Sequence, residues 1–149
     1  MEIEITETAL VRDFNRALTA LRQIKALGIR IAMDDFGTGY SSLSNLRAFP
    51  FDRIKIDGSF IKSVNVNDQA AAIVRSVLGL GRALCLPVLA EGVETAAELA
   101  FLESELCNEA QGYLFGRPAD IVRFRQLTHG VDAADDPTIV SLVPKVSSM

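Results

Sequence analysis

From Glu2 to Thr6 acids alternate with isoleucine and threonine, a period of two that predicts a half-buried strand beginning almost at the first residue. The period then changes. Phe14, Ala17, Leu18, Leu21, Ile24 and Leu27 recur at helical spacing, with Asp13 placed to cap the start and Gly28 to stop the end. The same alternation of periods continues along the chain. Strands are predicted over 29–33, Arg53 to Asp57, Pro87 to Glu91 and Glu109 to Tyr113. Between them fall a short helix from Ser42 to Ala48, ending before Pro50, and a long one from Asp68 to Leu84 with Ala72, Ile73, Val77, Leu80 and Leu84 on one face. A helix from Thr95 to Leu106 opens on a capping box of Thr95 and Glu98, and Ile121 to Leu127 gives a last short helix. Residues 1–130 are expected to form the folded part, and the tail 131–149 to be mobile or to add one edge segment.

Five β-α units without a sequence repeat point to a parallel sheet with helices outside, either doubly wound or part of an eightfold barrel. The polar residues decide between these. Glu4, Asp34, Asp35, Lys55, Asp57, Glu91 and Gln111 sit in or at the ends of successive strands. A barrel draws its chemistry from the carboxyl ends of several strands. A doubly wound sheet gathers it at one crevice, usually beside a glycine fingerprint after the first strand, and the sequence has none. The fold class is therefore α/β, a partial TIM-type (βα)8 barrel of about five units.

Composition agrees with one domain: 149 residues, 49% of them hydrophobic, are ample for a core. The net charge of −4 and the scattering of the 15 Lys and Arg argue against a duplex nucleic-acid surface. Cys85 and Cys107 have no metal or disulfide spacing and are expected to be reduced core residues. Without a signal peptide or an apolar run long enough to span a bilayer, the cytoplasm is the default location.

The stretch Asp34-Asp35-Phe36-Gly37-Thr38-Gly39-Tyr40-Ser41-Ser42 carries the sharpest chemical signal: two adjacent acids at the end of an apolar strand, then a glycine-containing loop. Buried acids need a cation or hydrogen bonds. In a barrel, Glu4, Asp34, Asp35 and Glu91 converge on one rim, an oxygen-only set that selects Mg²⁺ or Mn²⁺, with Ca²⁺ able to compete. Adjacent aspartates allow one carboxylate to bridge two ions, as in metal-assisted phosphodiester hydrolysis. Lys55 could steady an attacking water or the developing phosphorane charge. Other residues keep two readings: Asp57, before Gly58-Ser59, is a site residue or a turn residue, and Glu7 and Glu94 suit support or helix capping better than direct binding. His129, in a terminal loop, is read as uninvolved.

Taken together, Glu4-Ile5-Thr6-Glu7, Asp34 to Leu43, Lys55-Ile56-Asp57, Ala90-Glu91-Gly92-Val93-Glu94 and Gln111-Gly112-Tyr113 strongly resemble the EAL family of bacterial cyclic di-GMP phosphodiesterases. The resemblance runs in continuous register from Met1 to Pro118 and makes 1–130 the C-terminal portion of such a domain. It implies a (βα)8 barrel that opens cyclic di-GMP to pGpG with two Mg²⁺ or Mn²⁺ ions and is inhibited by Ca²⁺. Glu4, Asp34, Asp35 and Glu91 match the family's metal ligands, with Asp34 the bridge. Lys55 matches the lysine at the catalytic water, Glu91 also a candidate base, and Gln111 a glutamine of the site. Glu7 matches a glutamate that holds the loop from Asp35 to Ser42, Glu94 a further acid of the site, and that loop is associated with dimerisation and regulation.

The family's Glu-Ala-Leu signature and its metal-binding asparagine are expected upstream of Met1, since a barrel of this type needs about 250 residues. Two readings follow. In the first, the chain is the catalytic part of a cyclic di-GMP phosphodiesterase, weakly active or inactive alone and associating with itself through exposed barrel edges or the loop after Asp35. In the second, it is a non-catalytic cyclic di-GMP-binding or protein-interaction module.

Overall fold

A computed structural model describes residues 1–6, 13–34, 47–116 and, for the backbone alone, 139–141. The expectations for Glu7, Asp35, Phe36 to Ser42, the helices at Ser42 to Ala48 and Ile121 to Leu127, His129 and most of the tail lie outside these residues.

The described elements are β1 (Glu2–Thr6), α1 (Phe14–Ala26), β2 (Arg30–Asp34), β3 (Arg53–Ile56), α2 (Gly58–Ile61), α3 (Asp68–Leu84), β4 (Val88–Ala90), α4 (Ala96–Ser104), β5 (Glu109–Gln111) and β6 (Ile139–Ser141). β1 to β5 lie side by side in chain order, every pair parallel, and β6 adds to β5 antiparallel. A parallel neighbour reached by a right-handed crossover leaves its helix on the same face each time, so an order that never reverses keeps the helices to one side. That is the winding of a barrel wall, and it excludes the doubly wound alternative.

Strand alternation sorts the residues accordingly. Ile3, Ile5, Ile31 and Met33 pack with Leu21, Phe14, Ala17 and Leu18 of α1 and with Phe49 and Phe51. Ile54, Ile56, Val88, Ala90 and Ala110 pack with Ile61, Val74, Val77, Leu78 and Leu102 from α2, α3 and α4. The opposite phase, Glu2, Glu4, Thr6, Arg30, Ala32, Asp34, Arg53, Lys55, Leu89, Glu109 and Gln111, makes the other face of the sheet, and it is mostly charged.

Local signals account for the element ends. The Asp13 carboxylate accepts from the Arg16 amide at 3.1 Å and caps α1. The Glu98 carboxylate accepts from the Glu94 and Thr95 amides while the Thr95 hydroxyl accepts from the Glu98 amide, completing the expected capping box. α4 nevertheless stops at Ser104, before the predicted Leu106, because Leu106 turns left-handed (φ 57°) and faces water. α2 was missing from the sequence reading, since four residues are too few for a helical period to register; Asp57 caps it, accepting from the Ser59 amide at 2.8 Å. Cys107 is buried, with its thiol pushed up to about 11 by burial. Cys85 corrects the other cysteine expectation: it is exposed, because the chain reverses at this left-handed residue (φ 56°) just past α3 and turns its side chain outward.

Asp52, which no motif marks, joins two of these elements. Its carboxylate accepts from the Lys25 ammonium at 2.6 Å and the Ile31 amide at 2.7 Å, tying the end of α1 to the start of β2. Partial burial pushes the carboxyl up, but the Lys25 and Ile31 bonds overcome it and hold the group below its ordinary 3.8. A depressed carboxyl stabilises the fold above its unfolded value and loses that contribution as pH falls through the folded one. Asp52→Asn is therefore expected to cost about 1–2 kcal/mol at pH 7 and less at pH 2. Urea midpoints at both pH values check this, and parallel acid losses in the two proteins would refute it.

Candidate active site

The charged face owes its arrangement to the strands. β1 presents Glu2 and Glu4, β3 presents Arg53 and Lys55, and the register places Thr6 beside Asp34 and Lys55 beside Leu89. Glu91 continues the phase of Leu89 one residue beyond β4, where its amide donates to the Ile56 carbonyl at 3.1 Å. The turn that follows depends on glycine. Gly92 has φ 69°, and a Cβ there would come within 3.1 Å of Gly58 Cα, so two glycines meet where the β4 exit crosses the start of α2.

Lys55 occupies the centre. Its Nζ lies 2.6 Å from Glu4 Oε1 and 2.6 Å from Glu91 Oε1, so one ammonium on β3 joins carboxylates from β1 and from the end of β4. Burial alone would lower the lysine, yet the two carboxylate contacts raise it above its ordinary 10.5, and it is fully charged at neutral pH. Glu91 is raised above the usual glutamate value, first by burial and then by the charges of Asp34 and Glu4, with Lys55 opposing. Asp34 is thus near enough for its charge to be felt at Glu91.

The structure brings Glu4, Lys55, Glu91 and Asp34 into one neighbourhood. Among the described residues, however, no three acidic, histidine or cysteine side chains close around a point that a metal could occupy. The donor chemistry still suits a hard cation, being oxygen only, with one carboxyl raised by burial and by its acidic neighbours. Gln111 ends β5, half-buried and in phase with this set. Asp57 is committed to the α2 cap, and the Ser59 hydroxyl and amide hold its carboxyl below the ordinary value. Glu94 pairs with Lys62 at 2.9 Å on the rim.

A second ionic row went unread in the sequence. Arg53 Nη1 lies 3.5 Å from Glu2, its Nη2 lies 3.0 Å from Glu109, and Arg30 reaches Glu2 at 3.6 Å. The signal was present in the phase: Glu2, Arg53 and Glu109 each stand two residues before Glu4, Lys55 and Gln111 and so share their face.

Comparison with known proteins agrees with this geometry. A relative from Caulobacter vibrioides, described only as an uncharacterized signaling protein, is 62% identical over 121 residues, covering 81% of this chain but 15% of that protein. Among solved structures, the PaMucR phosphodiesterase in complex with c-di-GMP superposes with a TM-score of 0.79 at 44% identity, over 83% of this chain and 50% of that one. Klebsiella pneumoniae BlrP1, solved as a manganese and cyclic di-GMP complex and as a calcium and cyclic di-GMP complex, superposes with a TM-score of 0.70 at 39% identity, over 79% of this chain and 30% of that one. The chain therefore spans a small part of its curated relatives and half or less of these solved chains. With the EAL domain family model matching residues 1–118 over a sheet wound as a barrel wall, the chain belongs to the EAL domain family.

Proposed function

We propose that this chain carries part of the active site of a metal-dependent phosphodiesterase that hydrolyses cyclic di-GMP to pGpG. The observation that supports it best is Lys55 held between Glu4 and Glu91 on the sheet face opposite the described helices, in a family whose solved members include cyclic di-GMP complexes. In this reading Glu4, Asp34, Asp35 and Glu91 hold Mg²⁺ or Mn²⁺, and Ca²⁺ competes for the same oxygens. A bound divalent ion would act as a Lewis acid toward a phosphodiester oxygen and offset the carboxylate charge.

The protein's own contribution is orientation and proton placement. Of the three N–H donors on Lys55, two face Glu4 and Glu91, and the third has no partner among the described residues. That donor is suited to an incoming water or to the phosphoryl oxygen on which charge develops. Glu91, raised and partly buried, is placed to accept a proton. Gln111 adds a neutral hydrogen-bonding group at the end of β5, Asp57 fixes α2 under the rim, and Glu94 with Lys62 braces the turn after Glu91. Glu7 supports the loop of Phe36, Gly37, Thr38, Gly39, Tyr40, Ser41 and Ser42, which serves regulation and, with the β1 edge, self-association in the cytoplasm.

A second reading, a non-catalytic module that binds cyclic di-GMP or a protein, is favoured by one observation: Lys55 already neutralises two of the carboxylates a metal would need. On that ground turnover by this chain alone is expected to be weak. Incubating the purified chain with cyclic di-GMP and Mn²⁺ and separating the nucleotides by chromatography tests the proposal. Slow, Mn²⁺-dependent appearance of pGpG that disappears in Glu91→Gln supports hydrolysis; saturable binding without any product selects the module.

A further inference from the structure

We propose that Arg53 is a positioning residue: its guanidinium bridges Glu2 on β1 and Glu109 on β5, and this bridge sets the spacing of Glu4 and Glu91 about Lys55. The inference rests on the functional reading above only in taking that upper trio as the site. Its own support is geometric.

β1 and β5 each lie two strands from β3. With strands about 4.8 Å apart, a side chain standing straight up from β3 on a flat sheet would be roughly 10 Å from either flank. The Arg53 fork nevertheless meets Glu2 at 3.5 Å and Glu109 at 3.0 Å. Lys55, two residues further along the same strand, reaches Glu4 two strands away on β1 and Glu91 just past the adjacent β4. The face therefore carries two stacked rungs, each a cation on β3 drawing in acids from both sides. On β1 the rungs differ by two residues, about 6.6 Å in a parallel strand, so the lower one fixes where the upper one falls.

The lower rung is also buried, with Arg53 only 8% exposed. Among the described residues Arg53 Nε, Glu2 Oε2 and Glu109 Oε2 are buried without a hydrogen-bond partner. A buried ion group with unmet donors and acceptors returns little stability against its desolvation cost. What it supplies is a shared charge: one buried guanidinium attracts a carboxylate from each flank at once, as ion pairs without hydrogen bonds, and so draws β1 and β5 toward β3. The structure thus assigns the lower rung the task of holding the sheet's curvature under the site.

The decisive variant is E2Q/R53M/E109Q, which removes the whole rung without leaving a buried charge unpaired. Two readouts apply: the Lys55 Nζ–Hζ signal in a ¹⁵N NMR spectrum, visible when an ion pair slows ammonium exchange, and Mn²⁺ affinity by calorimetry. Amide exchange across α3 reports the fold. The triple variant is expected to lose the Lys55 signal and at least tenfold in Mn²⁺ affinity while α3 keeps its protection, with R53K intermediate. An unchanged Lys55 signal in the folded triple variant would overturn the proposal. If the parent chain binds no Mn²⁺, loss of the Lys55 signal in the variant still supports the bridge, and the metal reading fails separately. If the triple variant does not fold, E109Q, which cuts one arm, decides by the same signal: its loss supports the bridge and its persistence refutes it.

Discussion

Methionine in place of Lys55 is expected to make the protein's stability fall more steeply as pH rises than the parent's does, because the parent's Glu91 is already raised but is held back by Lys55. In the parent, burial and the charges of Asp34 and Glu4 all push Glu91 upward, and Lys55 is the opposing cation. Methionine fills much of the same space but leaves Glu91 with only the influences that favour its neutral form. A carboxyl whose folded value exceeds its unfolded one binds its proton more tightly in the native state, so stability declines as pH climbs from the unfolded value through the folded one. The slope can reach about 1.4 kcal/mol per pH unit. At pH 7 the deficit is expected to be about 2 kcal/mol, below the usual cost of breaking a buried pair because the Glu4 side chain is 53% exposed and keeps much of its hydration.

The parent carries a further dependence of the same sign much higher on the scale. Lys55 is raised, so its stabilising contribution is complete below its ordinary 10.5 and is lost only as pH rises through the still higher folded value. Urea midpoints of both proteins at pH 4.5, 6 and 8 should diverge steadily. A constant gap would show that Lys55 contributes only packing. Any cyclic di-GMP turnover should fall by about a hundredfold or more, as for loss of one preorganised donor to developing charge.

Periodicity carried most of the fold. β1 to β5 and the long helices were predicted to within two residues at most ends, because an amphipathic strand or a capped helix of nine or more residues writes its period into the chain, whereas β6 was foreseen only as one of two outcomes for the tail. α2 escaped because four residues make barely one turn. The barrel winding was legible only indirectly, through polar residues at successive strand ends; the order of strands that proves it is a non-local property. For the site, the motif residues pointed to Lys55, Glu4, Asp34 and Glu91, and the structure brings these together. Arg53 and Asp52 were passed over for a physical reason. Their importance comes from partners 51 and 56 residues away for Arg53, and 27 and 21 residues away for Asp52, and neither has a local pattern to announce it.

A single methyl group at Gly112 is expected to be among the most damaging small changes in this protein. A Cβ there would fall on the Val93 backbone, 2.7 Å from its carbonyl carbon and closer still to its oxygen and nitrogen. A flexible side chain could yield to such a contact, but Val93 cannot. Its amide donates to the Gln111 carbonyl at 3.0 Å, its own carbonyl accepts from the Leu114 amide at 3.0 Å, and its side chain is fully buried in the larger core. Relief therefore requires breaking the two bonds that seal the exit of β4 to the exit of β5, which would also shift Glu91 and Gln111, the residues on either side of that seam. Gly112→Ala is expected to cost at least about 3 kcal/mol, a large share of the 5–15 kcal/mol that holds a typical domain. Gly79→Ala provides the contrast, because a Cβ at that position in α3 meets nothing within 4 Å. There the substitution restricts only the unfolded chain and removes a helix-interior glycine, and it should stabilise by about 0.5–1 kcal/mol. Denaturant midpoints moving in opposite directions for the two alanines would establish that the seam, and not glycine content, governs this corner; equal midpoints would defeat the argument.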